Sequence, residues 1–152
     1  MNLESRLARL EALEAIRLLK HRYLNACDMK EIEVIRQCFA EGEVLIDYGA
    51  LGIFHDRERF VELYQELACK RSVVDLHHGS NSEIELISDT EAKGRWALCY
   101  FNIDSSSGVT RQLGGFYQDR YRLTDAGWQM VATCFRAHSE AMGMDLRFAT
   151  PT

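Results

Sequence analysis

The first part of the chain has apolar residues at steps of three and four, the spacing of an amphipathic helix. These apolar positions are Leu3, Leu7, Leu10, Leu13, Ile16, Leu19, Tyr23 and Cys27. The polar positions between them are Glu4, Arg9, Glu11, Arg17 and Lys20. The pattern predicts one long helix that buries the first set in a core and exposes the second set to solvent.

Two shorter helices and a strand are predicted to follow. Asp28 and Glu31 have the spacing of a capping box, which predicts that the first helix breaks near Asp28 and that a second helix runs to about Phe39. Residues 44–48 have the composition of a short β-strand. Asp56 is expected to cap a third helix.

The second half of the chain has a different composition, with long stretches rich in Val, Ile, Tyr, Phe and Trp. These stretches cover residues 73–87, 92–103, 109–123 and 128–138, and short turn-like segments separate them. Consecutive strands joined by short turns form an antiparallel meander. Helices first and a long curved sheet afterwards predict an α+β fold.

Both faces of these predicted strands are apolar. Alternation places Trp96, Tyr100 and Asn102 on one face of their strand, and Arg136 on the same face as Trp128 in the last strand. One face is expected to pack on the helices, and the other to meet a second subunit. The sequence therefore predicts a homo-oligomer, a dimer or trimer, built on the sheet.

Composition limits the class of protein. The 152 residues are 47% hydrophobic and 27% charged, which fits one globular domain over residues 1–152. The net charge of −5 argues against a nucleic-acid partner, and no apolar run approaches the ~20 residues of a membrane span. The N-terminus lacks the pattern of a signal peptide, so a cytoplasmic protein without membrane contact is expected.

The cysteines do not suggest a metal or redox site. Five cysteines are scattered without a C-x-x-C pair, so they are expected to be buried and reduced. The adjacent His77 and His78 have no further ligand at metal-binding spacing. No metal site is predicted.

Several polar side chains fall on otherwise apolar faces and could line a small-molecule pocket. They are Tyr23, Asp28, Tyr48, His77, His78, Asn102, Tyr117 and Arg136. Structural alternatives remain open for some of them. Tyr23 could be a core tyrosine, Asp28 a helix cap, and Arg136 the partner of an ion pair with Asp28, Asp47 or Asp119.

The order and spacing of four motifs resemble a known family. They are Tyr23-x4-Asp28 followed by Lys30-Glu31, Ile46-Asp47-Tyr48-Gly49, the stretch from His77 to Glu85, and the stretch from Gly115 to Tyr121 that leads to Trp128. Over roughly residues 8 to 138 the chain resembles the SnoaL-like branch of the nuclear transport factor 2-like (cystatin-like) superfamily. The resemblance implies a cone-shaped, curved antiparallel sheet whose pocket the N-terminal helices close.

Within that superfamily the chain is most similar to scytalone dehydratase and the bile-acid 7α-dehydratases. The resemblance implies a dehydratase with Tyr23, Asp28 and His77 as catalytic residues and no cofactor. Two positions depart from these enzymes: Cys27 replaces a tyrosine, and Asn102 replaces an acidic residue or histidine. Alternation along the strand puts His78, not His77, on the face of Leu76 and Ile84, and a β-bulge at Gly79 would reconcile pattern and resemblance.

The chemistry of these residue types fits proton abstraction beside a carbonyl group. An imidazole changes charge near neutral pH and suits a general base, and a neighbouring carboxylate stabilises the imidazolium. Asp28 would orient His77, and the returned proton would expel a hydroxyl group as water. The remaining candidates are expected to bind a small, apolar, cyclic substrate; they are Tyr48, His78, Asn102, Tyr117 and Arg136.

Other functions are compatible with the same fold. An isomerase or cyclase would use the same enolate chemistry without losing water. The resemblance also allows the non-catalytic small subunit of a ring-hydroxylating dioxygenase, or a ligand-binding module. A histidine, aspartate and tyrosine together favour an enzyme, because a non-catalytic subunit has no need of them.

Overall fold

The computed structural model describes residues 1–143, which form three helices, a short 3-10 turn at Gly49–Leu51 and six strands. The helices are α1 (Leu3–Met29), α2 (Ile32–Gln37) and α3 (Arg57–Ala68). The strands are β1 (Leu45–Asp47), β2 (Ile53–Phe54), β3 (Val73–Leu86), β4 (Glu91–Asp104), β5 (Val109–Thr124) and β6 (Gly127–Gly143). No helix in this part of the chain is both long and apolar enough to cross a membrane.

The six strands form one sheet in the order β2-β1-β6-β5-β4-β3. Strands β3 to β6 are the antiparallel meander that the sequence predicts. The short strand β1 extends the sheet by pairing parallel to β6, and β2 pairs antiparallel to β1. The sheet curves without closing, and the helices pack on its inner face, so the predicted α+β cone is confirmed.

The C-terminal half of α1 covers the inner face of the sheet. Ile16, Leu19 and Leu24 are buried there and anchor the helix to the core. The apolar positions of the first turns, Leu3, Leu7 and Leu10, are more than half exposed, so the prediction that they are buried is wrong.

Lys20 is a second exception to the predicted helix faces. The helical pattern predicts Lys20 on the solvent side, which is wrong, because its side chain is fully buried. It lies one helical turn after Ile16 and one before Leu24, on the stripe that faces the core. Its charge is balanced by Asp119 of β5, whose Oδ2 lies 2.8 Å from the ammonium group.

The capping box at Asp28 does not form. Helix α1 continues through Asp28 and ends at Lys30, which has a left-handed conformation (φ 59°) and donates its backbone N–H to the carbonyls of Ala26 and Cys27. Glu31 precedes α2 and makes no side-chain cap. The carboxylate of Asp28 therefore remains available to another element. The predicted cap of α3 is confirmed, because Asp56 accepts from the backbone N–H of Arg59 at 2.9 Å.

A β-bulge in β3 decides which histidine faces inward. The register between β3 and β4 shifts after Ser80, where Asn81 has a positive φ of 52°. Before the bulge His77 faces the helices, while His78 points outward and is exposed. The bulge predicted at Gly79 thus exists two residues later. A Cβ at Gly79 would lie 2.5 Å from Leu24 Cδ1, so glycine allows α1 to approach the strand.

A second bulge moves Arg136 out of the interior. Ala132 pairs with Arg120 and Met130 with Tyr121, which leaves Val131 as the extra residue of β6. An insertion of one residue reverses the faces of everything beyond it. Arg136 consequently lies outside the sheet, where its Nη1 donates to Asp47 Oδ1 at 3.1 Å. Arg136 as a substrate-binding residue is wrong, and the alternative of an ion pair with Asp47 is correct.

Candidate active site

A cavity of about 260 Å³ lies between the helices and the inner face of the sheet. Most of its walls are apolar or aromatic, from α1, α3 and strands β3 to β6. Five of the predicted site residues line it: Tyr23, Tyr48, His77, Asn102 and Tyr117. The structure therefore brings together residues from five separate parts of the sequence.

Three predicted residues do not line this cavity. Asp28 lies behind His77 and contacts it directly. His78 points to the opposite side of the sheet, so a role for it in substrate binding is wrong. Arg136 is likewise outside, bound to Asp47. Both errors have the same cause, the bulges that shift strand register.

His77 and Asp28 form a hydrogen-bonded pair at the cavity wall. Nδ1 of His77 lies 2.6 Å from Asp28 Oδ1, and the backbone N–H of His77 donates to Oδ1 and Oδ2 at 3.1 and 3.0 Å. An ionised carboxylate can only accept, so Nδ1 carries a proton and Nε2 is left as the basic nitrogen. Both side chains are about 15% exposed, at 14% for His77 and 16% for Asp28. The pair has the geometry of an oriented general base.

Tyrosine hydroxyl groups form another wall of the cavity. Tyr23 Oη lies 2.5 Å from Tyr48 Oη, and the rings of Tyr48 and Tyr117 are 6.1 Å apart. Burial raises the pKa of all three tyrosines well above the usual range. All three hydroxyl groups therefore stay protonated at neutral pH. Tyr23 and Tyr48 share one hydrogen bond, which leaves one free O–H in this pair and a second on Tyr117 to donate to a substrate oxygen.

The ion pair outside the sheet holds Tyr48 in place. Asp47, which precedes Tyr48, accepts from Arg136 and from the backbone N–H of Gly49 at 3.0 Å. These two donors hold the pKa of Asp47 below its usual range. The 3-10 turn that follows is closed by the backbone N–H of Tyr48, which donates to the carbonyl of Gly52 at 3.0 Å. Arg136 thus contributes to the site from outside, by fixing the segment that carries Tyr48.

Asp75 is the centre of a hydrogen-bond network that was not predicted from the sequence. This carboxylate is 3% exposed and accepts from Tyr100 Oη at 2.7 Å, from Asn102 Nδ2 at 2.6 Å and from Lys30 Nζ. Burial opposes its charge, but the three hydrogen bonds outweigh burial and hold the pKa of Asp75 below its usual range. A signal existed in the sequence, because Asp75 lies two residues before His77 and shares its face of β3.

A second missed network lies behind the tyrosines. The ammonium of Lys20 is 3.5 Å from the centroid of the Tyr117 ring and forms an ion pair with Asp119. Asp119 also accepts from Tyr121 and Thr133, each at 2.7 Å. Burial lowers the pKa of Lys20, and the charge of Asp119 opposes that effect. The network fixes Tyr117 from its far side.

Cys27 lines the cavity, but its thiol is not activated. Burial is the main cause that raises its pKa to about 12. A thiol in this state is a poor nucleophile at neutral pH. Cys99 is exposed on the outer face of the sheet, so the expectation that every cysteine is buried is wrong. Within residues 1–143 no group of three or more His, Cys, Asp or Glu side chains is placed to hold a metal ion.

Comparison with known proteins identifies the family. The model of the SnoaL-like domain matches residues 8–133, which is most of the chain. The chain belongs to the SnoaL-like domain family. The resemblance stated from the motifs is thereby confirmed.

Solved structures of the same fold are similar over nearly their full length. A putative scytalone dehydratase from Novosphingobium aromaticivorans matches with a TM-score of 0.79 and 21% identity, covering 93% of this chain and 92% of that one. A hexachlorocyclohexane dehydrochlorinase from Novosphingobium barchaimii matches with a TM-score of 0.84 and 17% identity, covering 96% of this chain and 99% of that one. An NTF2-like protein with a cystatin-like fold from Novosphingobium aromaticivorans matches with a TM-score of 0.75 and 20% identity, covering 90% of this chain and 88% of that one. At these identities the likeness shows that this SnoaL-like domain shares their fold.

Proposed function

We propose that this SnoaL-like domain is a cofactor-independent dehydratase that removes water from a small cyclic β-hydroxy ketone. The observation that carries the proposal is the His77–Asp28 pair at the wall of an apolar cavity that also holds tyrosine hydroxyls. A base, its orienting carboxylate and hydrogen-bond donors in one largely apolar cavity are the parts that proton abstraction beside a carbonyl needs.

The reaction follows from the positions of these groups. His77 Nε2 takes the proton from the carbon next to the carbonyl, and Asp28 stabilises the imidazolium that forms. Negative charge then moves to the carbonyl oxygen, where a tyrosine hydroxyl donates a hydrogen bond. The enolate re-forms the carbonyl as the β-carbon–oxygen bond breaks, and the imidazolium returns its proton to the departing hydroxyl. The products are an enone and water, and His77 is again neutral.

The size and composition of the cavity limit the substrate. A volume of about 260 Å³ lies just below the ~300–1,000 Å³ of most ligand pockets. Aromatic residues such as Phe60, Tyr117 and Phe135 line it, which favours a flat, apolar ring system. A substrate of one or two rings fits these walls better than a four-ring molecule.

A second candidate is the elimination of chloride. One solved structure of the same fold is named a hexachlorocyclohexane dehydrochlorinase, and loss of hydrogen chloride, like loss of water, removes a proton from carbon. The His77–Asp28 pair would serve either leaving group. An isomerase or cyclase would use the same base without a leaving group. A dioxygenase small subunit or a ligand-binding module gains no support from the oriented base.

The test is a panel of cyclic β-hydroxy ketones, with formation of the enone followed by its ultraviolet absorbance. The purified protein should accelerate loss of water from at least one member, and His77→Ala should remove that acceleration. His78→Ala is the matched control, because this neighbouring ring points away from the cavity. A folded protein that converts no member of the panel would contradict the proposal, and co-purification with a larger iron-containing subunit would favour the dioxygenase small subunit instead.

The quaternary structure and location form a separate proposal. The outer face of the sheet exposes Val74, Leu76 and Phe116 by 36–44%. We propose that a second copy of the chain covers this face, since a two-fold axis brings the same apolar surface of two copies together. A cytoplasmic homo-oligomer, a dimer or trimer, with no nucleic-acid or membrane partner is expected. Sedimentation as a monomer at micromolar concentration would contradict it.

A further inference from the structure

The network around Asp75 fixes which groups on one wall of the cavity donate hydrogen bonds and which accept them. Asp75 is buried and ionised, so it can only accept, and each neighbour must donate to it. The hydrogen of Tyr100 Oη is directed at Asp75 Oδ1, 2.7 Å away. Burial and the charge of Asp75 raise the pKa of Tyr100, so its hydroxyl remains protonated and keeps this direction. Towards the cavity Tyr100 can therefore present only oxygen lone pairs.

Asn102 is oriented by the same carboxylate. Its Nδ2 donates to Asp75 Oδ1 at 2.6 Å, and the opposite orientation would place Oδ1 against the negative charge. Asn102 lines the cavity, and its amide oxygen is left as an acceptor beside the second N–H of Nδ2. Two cationic side chains near this wall have carboxylate partners. Lys30 is held by the other oxygen of Asp75, and Arg111, which also lines the cavity, has its Nε 3.1 Å from Glu140 Oε1. Tyr100 and Asn102 together form an acceptor wall.

The acceptor wall lies next to His77, and its chemistry differs from that of the wall formed by the tyrosine hydroxyls. The rings of Tyr100 and His77 are 4.6 Å apart, so a group bound at Tyr100 is close to the imidazole. Tyr117 and one hydroxyl of the Tyr23–Tyr48 pair are donors that suit a carbonyl oxygen. The cavity thus offers donors to one polar group of a substrate and acceptors to the other.

We propose that Asp75, acting through Tyr100 and Asn102, selects a substrate whose leaving group is a hydroxyl and disfavours one whose leaving group is chloride. This inference rests on the proposed function, because it names the leaving group of that same reaction. Asp75 is a positioning residue here, since it lies behind the two side chains that would contact the substrate.

The selection follows from hydrogen-bond chemistry. A β-hydroxyl group donates its hydrogen to Tyr100 Oη or Asn102 Oδ1 and turns an oxygen lone pair towards the protonated His77. When the carbon–oxygen bond breaks, that lone pair takes the imidazolium proton and water leaves. A chlorine atom has no hydrogen to donate, and its lone pairs face those of the wall. Chloride also needs no proton to depart, so it gains less from this arrangement.

Two substrates that give the same product test the selection. β-Hydroxycyclohexanone and β-chlorocyclohexanone both yield cyclohexenone, so one absorbance measurement compares their rates, each relative to its spontaneous reaction. We expect wild type to accelerate the hydroxy compound more. Asp75→Asn, which keeps the shape but loses the charge, should reduce this preference about tenfold, the effect of one hydrogen bond. Glu85→Gln, an exposed carboxylate of β3, is the control and should retain the wild-type preference.

A binding measurement keeps the inference testable when neither compound reacts. β-Chloronaphthalene has a chlorine atom where β-naphthol has its hydroxyl group, and the dissociation constants of both can be measured by fluorescence. Wild type should favour the naphthol, and Asp75→Asn should lower that preference while thermal melts show an intact fold. An unchanged preference in Asp75→Asn, in either experiment, overturns the inference. If wild type accelerates no ketone but binds the naphthol more tightly as expected, the proposed function is overturned. The acceptor wall is then still supported by the binding measurement.

Discussion

Asp28 accepts hydrogen bonds from both the ring and the backbone of His77, although 49 residues separate them. The backbone bond fixes the position of strand β3 against the end of helix α1. The ring bond, at 2.6 Å, fixes the tautomer of the imidazole. One carboxylate thus joins two elements of the fold and orients the base of the proposed reaction.

Replacing Asp28 by Asn should separate its two roles. The amide oxygen can still accept from the backbone N–H of His77, so the melting temperature should stay close to that of wild type. The amide nitrogen would donate to Nδ1 and force the ring proton onto Nε2, which removes the base. The turnover rate should fall about 10²–10⁴-fold, the range of general acid–base catalysis. A much lower melting temperature with normal activity per folded molecule would make Asp28 purely structural.

The tyrosine pair should act as a unit. Tyr23→Phe and Tyr48→Phe each remove one hydroxyl of a contact that is 2.5 Å long. Each should lower the turnover rate, because fewer donors face the developing enolate. The double variant should lose less than the product of the two single effects, since groups that share one hydrogen bond are coupled. Steady-state kinetics of the four proteins make the test, and strictly multiplicative losses would mean that the hydroxyls act independently.

The buried ion pair of Lys20 and Asp119 should matter for stability. Lys20→Met leaves a buried carboxylate without its cation and should lower the free energy of unfolding by about 3–5 kcal/mol. Lys20→Met/Asp119→Asn should recover part of that loss. Lys93→Met breaks an exposed pair with Glu85 and should cost less than about 1 kcal/mol. Urea denaturation measures all three, and equal losses in Lys20→Met and Lys93→Met would contradict this interpretation.

Asp75 should make the fold sensitive to acid. Its pKa is lower in the folded protein than the value of about 3.9 expected in the unfolded chain. The resulting stabilisation is therefore fully present at pH values above the pKa that Asp75 has in the unfolded chain. It disappears as the pH falls through the lower pKa that Asp75 has in the folded protein. Wild type should lose more unfolding free energy than Asp75→Asn between about pH 6 and pH 3. Parallel losses in urea denaturation at these pH values would show that Asp75 contributes nothing.

The meander and the inward position of His77 could be predicted from the sequence. Long strands with short turns fix the order of β3 to β6, and the spacing of Tyr23, Asp28 and His77 resembles a known family. The two wrong site residues, His78 and Arg136, lie on strands with bulges at Asn81 and Val131. A one-residue bulge reverses the faces of a strand, and its position depends on packing between strands rather than on local sequence.

The other errors come from partners that are distant in sequence. Asp28 and Glu31 carry a local capping signal, but His77 competes for the carboxylate and the helix continues past it. Lys20 has a charged side chain, which favours solvent, until Asp119 supplies a buried counter-charge 99 positions later. Local sequence patterns do not include such partners, so they predict the wrong role for Asp28 and the wrong face for Lys20.

Exchange of carbon-bound hydrogen tests the central claim, that His77 removes a proton next to a carbonyl group. α-Tetralone has that proton but no leaving group, so only the first step can occur. In deuterium oxide, wild type should speed the incorporation of deuterium next to the carbonyl, as followed by proton NMR, and His78→Ala should match it. His77→Ala should show only the spontaneous rate. Undiminished exchange with His77→Ala, or none above the spontaneous rate with folded wild type, would contradict the account.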